Sequence, residues 1–135
     1  SSDLIARKQK SYGTMTYQGI KSYIYAGLSR DDVRVKRALD WIRENYAVDS
    51  HPGQADGSSG LYYYFNTLGK TMHILEFDEF EDSAGVKHDW RTDLAVEIIS
   101  LQNEDGSWKN TNNRWYENIK PLVTAYAITA LSYCK

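Results

Sequence analysis

Residues 121–133 read PLVTAYAITALSY, from Pro121 to Tyr133, without a single charged side chain. Proline at the start suits the first turn of a helix, where the N–H groups have no intrahelical partner. A helix uncharged all round is expected to be enclosed on every side. Two other segments share this character. TMTYQGIKSYIYAGL (14–28) carries one charge, Lys21, and sets Tyr17, Ile20, Ile24 and Leu28 at helical spacing. LYYYFNTLGKTMHIL (61–75) also carries one, Lys70, and sets Phe65, Leu68, Met72 and Leu75 on a stripe. Between them lie segments of the opposite kind. Residues 31–46 hold eight charged side chains around the apolar line Val35, Ala38, Leu39, Ile42 and Tyr46. Ser29 followed by Asp32 reads as a capping box opening that helix. A further helix is expected over 89–102.

The alternation predicts an all-α fold in two layers, with inner helices over 14–28, 61–75 and 121–133 and outer helices over 31–46 and 89–102. An offset of 57 residues lays Asp32 on Asp89, Arg34 on Arg91, Ala38 on Ala95 and Ile42 on Ile99. This describes two units of outer helix, long loop and inner helix. The loops are VDSHPGQADGSSG and NEDGSWKNTNNRWYENIK, rich in turn formers. The acidic stretch EFDEFEDSAGVK reads as a solvated connection. Residues 1–12 are polar, carry Arg7, Lys8 and Lys10, and lack an initiating Met, so the chain is expected to begin mid-protein or after processing. The folded domain is expected over 13–135.

Composition narrows the function. The chain has 135 residues, with 16 Lys and Arg against 18 Asp and Glu, a net charge of −2. That balance leaves no basic footprint for nucleic acid. No apolar run approaches the ~18 residues of a membrane span. The lone Cys134 cannot form an internal disulfide or a multi-cysteine zinc site, and three scattered histidines predict no metal centre. Aromatic residues are biased towards Tyr, 11 against 4 Trp and 3 Phe. A buried Tyr wants a hydrogen-bond partner, so a Tyr-lined concavity is expected to be partly polar.

The sharpest local motif is LQNEDGSW, Leu101 to Trp108. Gln102 stands at the end of an outer helix, Asp105-Gly106 makes a turn, and Trp108 can fold back. Gln102, Gly106 and Trp108 resemble the QW repeat of the squalene-hopene cyclase, terpene cyclase and prenyltransferase superfamily. TYQGIKSYIYAGL, RVKRALDWIRENY, LYYYF and LVTAYAITALSY are similar to bacterial proteins carrying prenyltransferase and squalene-oxidase-type repeats. The resemblance spans roughly 13–134 and implies part of an α/α toroid. The motif is degenerate: Asp93 and Glu97 stand where the repeat has a basic residue and an aromatic, and the first unit lacks Gln and Trp, with Asn45 and His51 nearby. Five helices are too few to close such a ring. The resemblance therefore implies the C-terminal portion of a longer chain, or self-association that completes the toroid.

The chemistry of that superfamily does not follow. The Asp-rich proton donor of the cyclases is missing from Arg30-Asp31-Asp32 and from Asp78 to Asp82. Ser132 stands where a prenyltransferase-type zinc site would need Asp beside Cys134, and the Cys-Gly-x-Gln thioester centre is absent. What remains is a set of binding candidates in the loops and at helix starts: His51, Tyr62, Tyr63, Tyr64, His88, Arg91, Arg114, Trp115 and Glu117. Inner helices of a toroid point the same way, so the loops leading into them should gather at one end. Tyr17, Tyr23, Tyr25 and Tyr126 add aromatic faces. Tyr62, Tyr63 and Tyr64 cannot share one core, because successive residues turn about 100°. The expectation is a binding module without a cofactor, taking an apolar or ring-bearing small molecule. The alternatives are a cyclase or prenyltransferase-type enzyme with its acidic motif elsewhere, and a carbohydrate-active α/α toroid.

Overall fold

The computed structural model describes residues 13–54 and 56–135, with Arg114 described in its main chain alone. The polar segment 1–12 lies outside the described residues. Five α-helices form: α1 (Gly13–Tyr25), α2 (Val33–Glu44), α3 (Leu61–Ile74), α4 (Trp90–Ser100) and α5 (Lys120–Ser132). Each expected helix is present, shorter by one to three residues at most of its ends.

The ends have local causes. Gly27 adopts φ 92°, and the N–H groups of Gly27 and Leu28 return to the carbonyls of Ile24 and Tyr23, which closes α1 in a Schellman motif. Asp32 itself caps α2, accepting the Arg34 N–H at 2.9 Å, so the helix opens after Asp32 rather than at Asp31. Ser29 instead accepts from the Asp31 N–H in the preceding turn. Asp89 caps α4 in the same way, through the Thr92 N–H. Pro121 sits in the first turn of α5.

Packing centres on α3, and α1, expected as an enclosed inner helix, exposes Met15 and Tyr25. Helix α3 packs against both α1 and α5, while α2 lies on α1, and α4 lies on α5 and α3. The central helix is the most enclosed, burying Leu61, Tyr62, Tyr64, Phe65, Thr67, Leu68, Gly69, Thr71 and Met72. From α1 come Tyr17 and Ile20, from α2 Val35, Leu39 and Ile42, and from α4 Trp90, Leu94 and Ile98.

Three expectations need correction. The acidic stretch after α3 is largely exposed, as expected, but it is not a plain loop. It forms a hairpin of β1 (Phe80–Glu81) and β2 (Lys87–His88), with Phe80 paired to His88. Phe80 is fully buried, and Trp90 donates its indole N–H to the Phe77 carbonyl, so the phenylalanines anchor what the acids made look exposed. Helix α5 is not enclosed on every side. Val123, Ala127 and Ala130 face the core, but Ile128 is 57% exposed, and Ala125, Thr129 and Ser132 share its exposure. Among the described helices α3 and α4 are its main neighbours, and they leave one side of it uncovered.

The third correction concerns the repeat. The 57-residue offset aligns the caps Asp32 and Asp89, but the buried faces do not coincide at that shift. They coincide at 59: Val35 with Leu94, Leu39 with Ile98, Tyr64 with Val123, Leu68 with Ala127 and Thr71 with Ala130 are all buried. Caps lie on the surface and tolerate a shift of two residues, whereas a helix face does not.

Among the described residues no helix is long and apolar enough to cross a membrane.

Candidate functional site

The two long loops meet at the N-terminal end of α3. Asn110 donates its side-chain amide to the Ser58 carbonyl, and Asn112 donates to the Asp56 carboxylate. The two loops therefore meet through Asp56, Ser58, Asn110 and Asn112.

Glu117 is the centre of this junction. Its side chain is fully buried, and its two oxygens accept the N–H groups of Tyr62 (3.0 Å) and Tyr63 (2.9 Å) and the Asn110 amide (3.1 Å). Gly60, the residue before α3, has no side chain to cap the helix. A carboxylate 55 residues along the chain from Tyr62 does it instead, satisfying unpaired donors at the positive end of the helix dipole. Glu117 is thus a cap held in place by a buried network, not a group open to a ligand.

The same loop turns through two successive left-handed residues, Trp115 and Tyr116, both at φ 63°. For bulky side chains this conformation costs about 1–3 kcal/mol each and persists only where the surroundings impose it. Gly60, at φ 66°, lets the loop come close: a Cβ there would lie 3.1 Å from Trp115 Cδ1. The strained turn leaves Trp115 54% exposed and Tyr116 73% exposed.

A cavity of about 270 Å³ opens beneath these rings, lined by Thr14, His51, Gln54, Gly60, Tyr63, Trp115, Tyr116 and Tyr126. None of these side chains is acidic or cationic. Tyr63 and Tyr126 meet edge to face at 5.6 Å, and the Tyr63 hydroxyl accepts from the Gln18 amide. His51 forms part of the wall but is only 4% exposed. Its Nε2 accepts the Thr14 N–H at 3.1 Å, and Nδ1 therefore donates to the Ser59 carbonyl at 2.8 Å. Its ring stacks on Tyr64, centroids 5.0 Å apart. Burial holds the imidazole below its usual pKa, so it is a neutral clamp between α1 and the first loop.

Of the residues singled out from sequence, the cavity unites His51, Tyr63, Trp115 and Tyr126. Tyr62 and Tyr64 turn into the core, as the helical rotation requires; the Tyr64 hydroxyl donates to the Ala47 carbonyl. Tyr17 is core as well, and Tyr25 is exposed on α1. The main chain of Arg114 begins the short turn Arg114–Tyr116, but its side chain lies outside the described residues. Thr14, Gln54, Gly60 and Tyr116 were not anticipated as site residues. A threonine at a helix start and a glutamine in a loop carry no pattern that separates them from ordinary surface positions.

His88 and Arg91 belong to another neighbourhood. His88 bridges Asp82 (2.8 Å) and Asp93 (3.5 Å) and stacks on Tyr46 at 4.0 Å. Tyr46 in turn donates to Asp93. Arg91 lies over the Trp90 ring and pairs with Asp78. Both fasten the hairpin to the helices. Asp82 is held below the usual carboxylate range chiefly by its bond to His88.

The LQNEDGSW motif closes on itself. Gln102 donates to the Gly106 carbonyl at 2.9 Å, with Gly106 at φ 87°. Trp108 is 3% exposed and gives its indole N–H to the Ile98 carbonyl at 2.8 Å, at the C-terminal end of α4. Its main-chain N–H donates to the Thr124 hydroxyl of α5.

Among the described residues no group of three or more His, Cys, Asp or Glu side chains could hold a metal ion. No known protein family, no curated protein and no solved structure matches the chain.

Proposed function

We propose that this chain is a repeat module of the squalene-cyclase-like, α/α-toroid kind that binds an uncharged, ring-bearing small molecule in the aromatic cavity. The observation that carries the reading is the strained pair Trp115–Tyr116, whose large rings stand exposed over a cavity walled by Tyr63 and Tyr126. Backbone strain persists only where the surroundings impose it, and the exposed rings of this turn offer aromatic surface on which a ring-bearing ligand stacks. Binding fits this wall better than catalysis. His51, the one group in it that titrates near neutrality, has both ring nitrogens engaged by the main chain.

A screen of triterpenoids, polyprenyl alcohols and neutral oligosaccharides by thermal shift tests the reading. A hit is expected to lose its shift in Trp115→Ala and Tyr63→Ala. A hit that survives both substitutions places the site elsewhere.

A second observation supports association with further helices. At the 59-residue offset, Lys36, Arg37 and Asp40 on the outward face of α2 correspond to Ala95, Val96 and Ile99 on α4. Val96 is 62% and Ile99 59% exposed. The first unit turns charge to water where the second turns aliphatic surface. The proposed partner is a further helical pair, from a longer chain or from a second copy.

A further inference from the structure

The cavity holds a polar feature that an apolar ligand would leave unanswered. Thr14 is 8% exposed, and its hydroxyl has no hydrogen-bond partner. Its own N–H is already committed to His51 Nε2. The Ser59 hydroxyl is also buried and unpartnered, on the residue whose carbonyl receives His51 Nδ1, but Ser59 does not line the cavity. Thr14 is thus the residue of the cavity wall whose hydroxyl is orphaned. Most buried polar groups in folded proteins are paired, and an unpaired one is costly. The Gln54 amide is on the same cavity wall.

The remaining wall is aromatic: Tyr63, Trp115, Tyr116 and Tyr126. The complementary ligand therefore needs one face of C–H groups and an edge of hydroxyls, and the described lining residues offer no ionic partner for a charge. C–H hydrogens carry partial positive charge and meet the negative face of an aromatic ring favourably. A flat heterocycle supplies the face but not a row of hydroxyls. A prenyl chain supplies neither the ring nor the hydroxyls. A nucleotide would bring phosphate to a wall without a cationic side chain among its described lining residues. A pyranose sugar has both features on one ring.

We infer that the cavity is a subsite for a neutral pyranose unit of an oligosaccharide, stacked on the Trp115–Tyr116 wall with its hydroxyl edge towards Thr14 and Gln54. This rests on the proposed binding role of the cavity and narrows its ligand class.

The test is a glycan array spanning neutral and acidic oligosaccharides, followed by calorimetric titration of the full chain with the best neutral binder. Farnesol and a triterpene alcohol are titrated in parallel. Two variants separate the claims. Trp115→Ala should abolish measurable sugar binding. Thr14→Val keeps the shape and removes the orphaned hydroxyl, so the free variant should melt no lower than the parent. Its sugar affinity should nevertheless fall on the order of tenfold, the scale of one hydrogen bond. An array with no neutral glycan bound overturns the inference. So does a sugar whose affinity is unchanged in Thr14→Val. Farnesol or the triterpene alcohol binding in the absence of any glycan also overturns it, while leaving the wider binding role intact. Failure of every ligand overturns both.

Discussion

The carboxylate of Glu117 caps helix α3 at the Tyr63 N–H, 2.9 Å away, and so ties the loop that carries Trp115 and Tyr116 to the central helix of the fold. Removing it leaves two helix donors and the Asn110 amide without their acceptor in a fully buried place. Glu117→Ala should therefore destabilise by about 3 kcal/mol, the scale of a lost charge-assisted acceptor. Glu117→Gln keeps one carbonyl oxygen but sets an NH₂ against a donor, and should fall between the two. Urea denaturation followed by circular dichroism measures both. A cost below about 0.5 kcal/mol for the alanine variant, the scale of an unremarkable surface change, would show that water or another acceptor takes over the cap.

The pH dependence of stability should carry the signature of His51. Its pKa in the fold is lowered from the usual 6.5, first by burial, so the unfolded chain binds more protons over the interval between the two values. Stability then rises with pH across that interval. The contribution is fully present above 6.5 and is lost as pH falls towards the lowered value. His51→Gln cannot take up the proton and should flatten this part of the profile between about pH 7 and pH 5. His73 and His88 remain in both proteins, so the difference between the two denaturation series isolates His51. Parallel profiles for parent and variant would contradict the neutral clamp.

The helices were legible from apolar spacing, and Arg37 and Asp40 on α2 and Leu68 and Met72 on α3 behave as their chemistry requires, whereas only α3 of the three uncharged helices is enclosed. Trp115 and His51 stood out because they are aromatic or titratable groups in long loops before helices, and Tyr63 because it falls in the Tyr run opening α3. The cap made by Glu117 was hidden, since nothing local links it to Gly60, and the partnership exists only when two distant loops meet. The exposed side of α5 was hidden as well. Lack of charge reports what a helix can tolerate, not how many neighbours reach it. The hairpin failed to announce itself because its acids outnumber its two anchoring rings, Phe77 and Phe80.

Trp108 should behave as a core residue although it lies in a polar loop. It is 3% exposed and its indole N–H occupies the Ile98 carbonyl at the end of α4. Trp108→Ala removes a buried aromatic and that bond together and should cost about 3–5 kcal/mol. Fluorescence offers a second measure. In a Trp115→Phe background, which removes the half-exposed indole, the emission attributable to Trp108 should resist iodide until global unfolding. Free quenching in the native protein would place the ring in solvent and remove the case for a folded-back motif.

The aliphatic outward face of α4 predicts association that a change of charge should abolish. Val96 and Ile99 are more than half exposed, and Ile128 on α5 is exposed as well. Contiguous apolar surface is uncommon on monomers, because water is ordered or excluded around it at a cost that burial recovers. The equivalent positions on α2, Arg37 and Asp40, show that this fold tolerates charge on that face. Val96→Arg with Ile99→Asp should therefore leave the melting temperature of the isolated fold nearly unchanged while shifting sedimentation from a concentration-dependent mixture to a single monomer. If the parent protein already sediments as one monomer at every concentration, a second copy is not the partner.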